Sequence, residues 1–214
     1  MIGILLALQV NNWNEKRKLA NERIAILDNL NVEFSENVLE LKVSIAQLDS
    51  LKSSLGELLR VMHDQPDTLS VEEFEILLEG TFFTPSYSPS SFVLEELKNS
   101  GGLTRLDDQE LESLLFDWER HNAEMRIVES DFSSYGSDYI EFLTEFGSVR
   151  NLDVIIGFIP TLRKSTITEN SLEMLKNPVF ENKAENFYFL AYRVSLKYSE
   201  TVQKADRIIE LTKN

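Results

Sequence analysis

The sequence predicts an all-α protein. Three observations carry that expectation: long stretches without proline, apolar residues recurring at helical spacing, and capping signals at the breaks. From Leu19 to Met62 there is no Pro and a single Gly, Gly56, which fits one uninterrupted helix. Its apolar residues keep a heptad, with Leu27, Phe34, Leu41, Leu48, Leu55 and Met62 in one row and Ile24, Val38, Ile45 and Leu59 in a companion row. Asn31 and Lys52 interrupt the companion row, while Leu30, Leu51 and Leu58 widen the stripe, as packing against more than one helix requires.

The breaks follow in order. Pro66 ends the first helix. Ser70-Val-Glu-Glu73 reads as a capping box that opens a short helix to about Gly80, and Thr81 to Ser91 is a loop rich in Ser, Pro and aromatics. Phe92 to Asn99 makes another short helix, closed by a left-handed Gly101 or Gly102. Asp107-Asp-Gln-Glu110 is a second capping box, opening a long helix with two apolar rows at seven-residue spacing, Leu111 to Phe146 and Leu114 to Val149. Between Gly147 and Thr168 the pattern is ambiguous. Val154 to Ile159 is apolar enough for a strand, but Pro160 and the lack of a pairing partner suit a packed loop or helical turn equally well. Thr166-Ile-Thr-Glu169 reads as a cap for a short helix to Lys176. Asn177-Pro178 then opens the last long helix, to about Leu211, where Phe180, Phe187, Val194 and Ile208 alternate with Ala184, Ala191 and Ala205. The sum is an antiparallel bundle of three long helices with two or three short capping helices.

The N-terminus adds a different element. Ile2 to Val10 is apolar on every face of a helix apart from Gln9, about half the ~20 residues a membrane span needs. Trp13 follows, then Lys16, Arg17 and Lys18: an interfacial aromatic and a cationic cluster, the order expected where a helix leaves a bilayer. Residues 1–13 therefore read as the C-terminal part of a transmembrane anchor, 14–26 as a polar helical stalk and 27–214 as the bundle domain. A secretory signal would place a basic region ahead of the apolar run and a small-residue cleavage site behind it, and neither is present.

The string from Ile2 to Lys18, IGILLALQVNNWNEKRK, resembles the membrane-exit signature of a large uncharacterised family of Bacteroidota proteins, known as a domain of unknown function. The stretch from Pro89 to Leu103, followed by Leu106-Asp-Asp-Gln-Glu-Leu111, is similar to that family's second block, a short helix closed by Ser-Gly. The resemblance implies an inner-membrane protein whose helical domain lies in the periplasm, and it brings no activity and no catalytic residues. Lys16, Arg17 and Lys18 point the opposite way by the positive-inside rule.

Composition narrows function by exclusion. With 43% hydrophobic and 27% charged residues the chain of 214 residues is an ordered globular protein. Without cysteine, it has neither disulfides nor thiol chemistry. The net charge of −15 repels phosphate backbones, so nucleic acid is not an expected partner. Of the two histidines, His121 stands between Asp117 and Glu124 on one helical face, half of a carboxylate–histidine site. The other half is missing, and the simpler reading is a partly buried His bonded to a carboxylate. No phosphate loop, nucleophile elbow, zinc-protease motif or dinucleotide fingerprint occurs, so the expectation is a non-enzymatic protein without cofactor or metal. The loop residues Phe82, Phe83 and Tyr87, with Phe92, form the candidate recognition surface; the competing reading is that they plug the end of the bundle. Two functions fit: a membrane-anchored interaction or sensing module of the bacterial envelope with a protein partner, or a homo-oligomerising coiled-coil element of a membrane complex.

Overall fold

The computed structural model describes residues 2–64, 69–157, 159–167 and 171–213. Among these residues the chain is helical without strands: α1 (Ile2–Asp64), α2 (Val71–Glu79), α3 (Phe92–Asn99), α4 (Gln109–Phe146), α5 (Val149–Ile156) and α6 (Pro178–Leu211), with 3₁₀ segments at Gly102–Arg105 and Ser171–Lys176. Pro66, Phe158 and the proposed cap residues Thr168 and Glu169 lie outside the described residues. The chain forms two compact units. The first holds Met1–Leu41, Ser88–Asn122 and Glu200–Asn214; the second holds Lys42–Tyr87 and Ala123–Ser199.

In the first unit, Leu27, Leu30, Phe34 and Val38 of α1 bury against Leu94 and Leu97 of α3, Leu111, Leu115 and Trp118 of α4, and Ala205 and Ile208 of α6. The Trp118 ring meets Phe34 edge-on at 4.9 Å, a favoured aromatic geometry. Helix directions follow from the contacts. Glu110 pairs with Arg207, Asp117 with Lys204, and His121 with Thr201, so α4 and α6 are antiparallel. Arg23 lies near Asp107 and Phe34 meets Trp118, so α1 and α4 run the same way. The expectation of an antiparallel bundle is therefore corrected for this pair: the long connection through α2 and α3 returns the chain to the start of α1 before α4 begins. Asn31, which interrupts the apolar stripe, donates to Ile209 O at 3.0 Å and to Thr212 Oγ1 at 2.9 Å, satisfying a carbonyl left open at the end of α6.

The second unit opens on the predicted capping box. Glu73 N donates to Ser70 Oγ at 3.2 Å and Ser70 N to Glu73 Oε2 at 2.9 Å; the Ser70 hydroxyl, donating to the same carboxylate oxygen at 2.7 Å, and then the Ser70 N–H hold the Glu73 carboxyl below the usual range. Its core is aromatic, as the rows on α4 and α6 predict: Phe132 stacks on Phe187 at 5.1 Å, and Phe142 on Phe180 at 5.4 Å. A Cβ at Gly136 would lie 2.9 Å from the Phe187 ring, so glycine in mid-helix is what lets that ring approach. The Tyr139 hydroxyl bonds Thr81 Oγ1 at 2.8 Å, and burial pushes its pKa up.

Within the ambiguous stretch the helical alternative holds over Val149–Ile156, which form α5, capped by Ser148, whose side chain accepts from Asn151 N, and closed by Gly157 at φ 74°. Buried Glu75 of α2 holds it in place, accepting from Asn151 Nδ2 at 2.5 Å and from Lys164 Nζ at 2.7 Å. At α4 the cap is Asp108, which accepts from Leu111 N at 3.0 Å, rather than Asp107, whose φ is 51°. Cutting Trp118 to Ala should cost about 3–5 kcal/mol through transfer and cavity terms, against a smaller loss for Trp118→Phe, as read from denaturant midpoints.

Candidate functional site

The loop expected to present aromatics is held down along most of its length. In the second unit Tyr87 is only 6% exposed. Its N–H donates to Glu129 Oε1 at 3.1 Å, the oxygen that also accepts from the Tyr198 hydroxyl at 2.5 Å. Burial and that carboxylate both raise the Tyr198 pKa. Ser44 Oγ of α1 donates to Ser86 O at 3.1 Å. Phe82 is half-buried and Phe83 is 40% exposed. Tyr87 is thus corrected from a recognition residue to a core residue, because its ring packs on Tyr198 and its backbone is paired.

In the first unit Asn37 of α1 takes both backbone groups of Ser90: Nδ2 donates to Ser90 O at 2.9 Å, and Ser90 N donates to Oδ1 at 2.7 Å. The cap of α3 also comes from α1. Ser91, at the N-cap position, makes no side-chain cap bond, and Val93 N donates instead to Glu33 Oε2 at 2.8 Å. Phe92, on the first turn of α3, is 74% exposed. Of the four predicted recognition residues it is the one that stands clear of the fold. Glu33 and Asn37 were not singled out from the sequence; the available signal was Asn37, which with Ser44 interrupts the apolar row of Leu30, Leu51 and Leu58.

His121 is buried with Nε2 at 2.9 Å from Thr201 Oγ1 and Nδ1 4.0 Å from a Glu200 carboxylate oxygen. The carboxylate beside it thus comes from α6. Asp117 and Glu124 point to cations instead, Lys204 and Lys197, and Lys204 holds the Asp117 carboxyl below the usual range. Among the described residues no group of three or more His, Asp or Glu is placed to hold a metal ion.

A larger feature lies at the start of α1. A cleft of about 810 Å³ opens between α1, the 3₁₀ segment Gly102–Arg105 and the end of α6. Leu19, Ile24 and Leu27 give it an apolar wall on α1, and Arg23, Arg105 and Lys213 line it with positive charge against the single carboxylate of Asp107. The stretch read as a stalk therefore makes contacts before residue 27: Glu22 lies 3.9 Å from Arg105, and Ile26 packs on the core. Below the cleft on the same helix, Ile4, Leu5, Leu6, Leu8 and Val10 are all exposed, as is Trp13 with the Arg17 guanidinium 5.0 Å over its ring. Lys16 and Lys18 are also exposed. Among the described residues no helix is long and apolar enough to cross a membrane.

The Asn37 clamp is open to a direct test. Replacing Asn37 by Ala should destabilise the fold by about 1–3 kcal/mol, since two backbone groups lose their partner, and should speed amide exchange at Ser90. Val32→Ala, at an exposed position on the same helix, should stay within about 0.5 kcal/mol of the parent.

Comparison with known proteins adds a family likeness without an activity. The sequence model of DUF6090, a family of unknown function, matches residues 1–91, the stretch from α1 into the loop before α3, and so contains the membrane-exit block but only the first residues of the second block. No curated protein and no solved structure shows significant similarity to the chain.

Proposed function

We propose that the chain is a non-enzymatic, membrane-associated interaction or sensing module of the bacterial envelope, whose binding face lies on the first unit. One observation supports this above the rest: the helix that exposes a run apolar but for Gln9, Ile4 to Val10, also forms the wall of an open cleft whose cations contrast with the acidic remainder of the chain. An exposed apolar segment of this kind needs cover, and Trp13 with Lys16, Arg17 and Lys18 suits the polar layer of a bilayer. In this reading residues 2–18 attach the protein to the inner membrane, the helical units stand in the periplasm, and the cleft and Phe92 meet the ligand or partner.

A second reading, self-association, needs a surface other than the predicted one. The α1 heptad, Leu27, Phe34, Leu41, Leu48 and Leu55, is buried within its own chain. Exposed apolar residues at helical spacing include Phe189, Tyr192 and Leu196 on α6 and Val32, Leu39 and Val43 on the outer side of α1.

Photoreactive residues placed singly at Ile24, Phe92 and Phe189 of the membrane-inserted protein in its own cells separate the two. Discrete heterologous adducts from position 24 or 92 are the expected result. Silence at both positions would defeat the module reading, and self-adducts from 189 alone would replace it with the oligomer.

A further inference from the structure

We propose that the cleft of the first unit binds a single-chain anionic amphiphile, an alkyl carboxylate or alkyl phosphate, with its head at Arg23 and its hydrocarbon along Leu19, Ile24 and Leu27. This rests on the reading of the chain as a binding module and adds the chemistry of its ligand. The volume of about 810 Å³ lies within the range of small-molecule sites, roughly 300–1,000 Å³.

The head position follows from Arg23. Its Nε is buried with no hydrogen-bond partner. Its nearest carboxylate oxygen, on Asp107, is 3.9 Å from Nη1, beyond hydrogen-bonding range, and the Asp107 side chain is 90% exposed. Arg60 and Arg207, by contrast, reach carboxylate oxygens at 2.5 Å. A guanidinium always carries its charge and presents a planar fork of donors, which a carboxylate or phosphate satisfies in bidentate fashion. Arg105, 3.9 Å from Glu22, and Lys213 add charge of the same sign around the opening.

The tail position follows from the wall. Leu19 and Ile24 are 53% and 46% exposed, so the near part of the cleft's apolar wall is uncovered in the folded chain, while Leu27, at its far end, joins the core and is 7% exposed. From Leu19 to Leu27 the helix rises about 12 Å, which gives an extended chain a continuous apolar track with Arg23 beside it. A free inorganic anion would leave that track wet, and a cationic amphiphile would meet three like charges.

The test uses the full chain in phosphatidylcholine nanodiscs with a diazirine-bearing dodecanoate, adducts being located by mass spectrometry. Adducts should fall within residues 19–27 and 104–107. Excess dodecanoate should compete and dodecyltrimethylammonium should not. The double variant Arg23→Gln/Arg105→Gln should lower labelling about tenfold or more, as expected for loss of charge-assisted hydrogen bonds. Ile24→Glu, at an exposed position, should block the track without unfolding the chain, as checked by circular dichroism. Labelling confined to residues 2–13, equal labelling of both variants, or equal competition by the cationic amphiphile would overturn the proposal. Competition by phosphatidylglycerol nanodiscs alone would also overturn it, by assigning the site to a two-chain lipid. Protein adducts from positions 24 or 92 alongside any of those failures would leave the module reading intact and remove only the ligand class.

Discussion

The backbone of residues 83–91 has no secondary structure of its own, yet Pro85 and Tyr87 are buried, so its polar groups must be paired by other elements. Leaving one such group unpaired costs about 1–3 kcal/mol, as much as a sizeable core contact. Helix α1 meets this requirement by breaking its own apolar row. The positions Leu30, Asn37, Ser44, Leu51 and Leu58 recur every seven residues, and the two polar members are the ones that bind the loop: Asn37 holds Ser90 in the first unit, and Ser44 holds Ser86 in the second. Glu33, one turn before Asn37, completes the arrangement by capping α3. Once the loop lies along α1, the chain has travelled back toward the start of that helix, and α4 starts beside it and runs in the same direction.

Stability and register are handled by different groups. Burial of Phe34, Trp118 and Ile208 in the first unit, and of the aromatics around Phe180 and Phe187 in the second, carries the free energy. The ion pairs between α4 and α6 contribute little individually, about 0–1 kcal/mol at exposed positions. Their spacing is nevertheless informative. Glu110, Asp117 and Glu124 stand seven residues apart and meet Arg207, Lys204 and Lys197 in descending order, which is the pattern that opposes a parallel arrangement of these two helices. The small residues Ala184, Ala191 and Ala205 are buried on α6, where they leave room for the rings of α4.

What was legible in the sequence was local. The Ser70 capping box and the Asn177-Pro178 start are each realised by the hydrogen bonds their residue types make, and the α1 row from Leu27 to Leu55 and the alanines of α6 are buried as their spacing requires; of the companion row only Val38 is buried, with Ile24 exposed and Ile45 and Leu59 half-buried. What was not legible depends on partners distant in sequence. Tyr87 reads as an exposed loop aromatic until Glu129 and Tyr198 are placed beside it. The apolar residues from Val154 suit a strand as well as a helix, and it is the Ser148 cap and the buried Glu75–Asn151 bond that set Val149–Ile156 as helix. The cleft was hidden for the same reason: Arg23, Arg105 and Lys213 are scattered along the chain and become one cationic lining only on folding.

The continuity of α1 links attachment to recognition. No break separates Val10 from Leu19, so about 14 Å of helix fixes the cleft above the apolar run. In the proposed attachment, with the apolar run in hydrocarbon, Trp13 stands about 4–5 Å beyond Val10, inside a headgroup layer about 5–8 Å deep, and the backbone of Lys16 to Lys18 lies about 9–12 Å beyond it, from where their long side chains reach back to that layer. The apolar wall beginning at Leu19 then stands just outside that layer, within reach of amphiphiles that leave the bilayer yet oriented toward water. A flexible stalk would lose this placement. In the proposed reading the polar stretch from Asn11 to Lys18 therefore does more than separate attachment from binding: as continuous helix, it sets the distance of Arg23 from the apolar run.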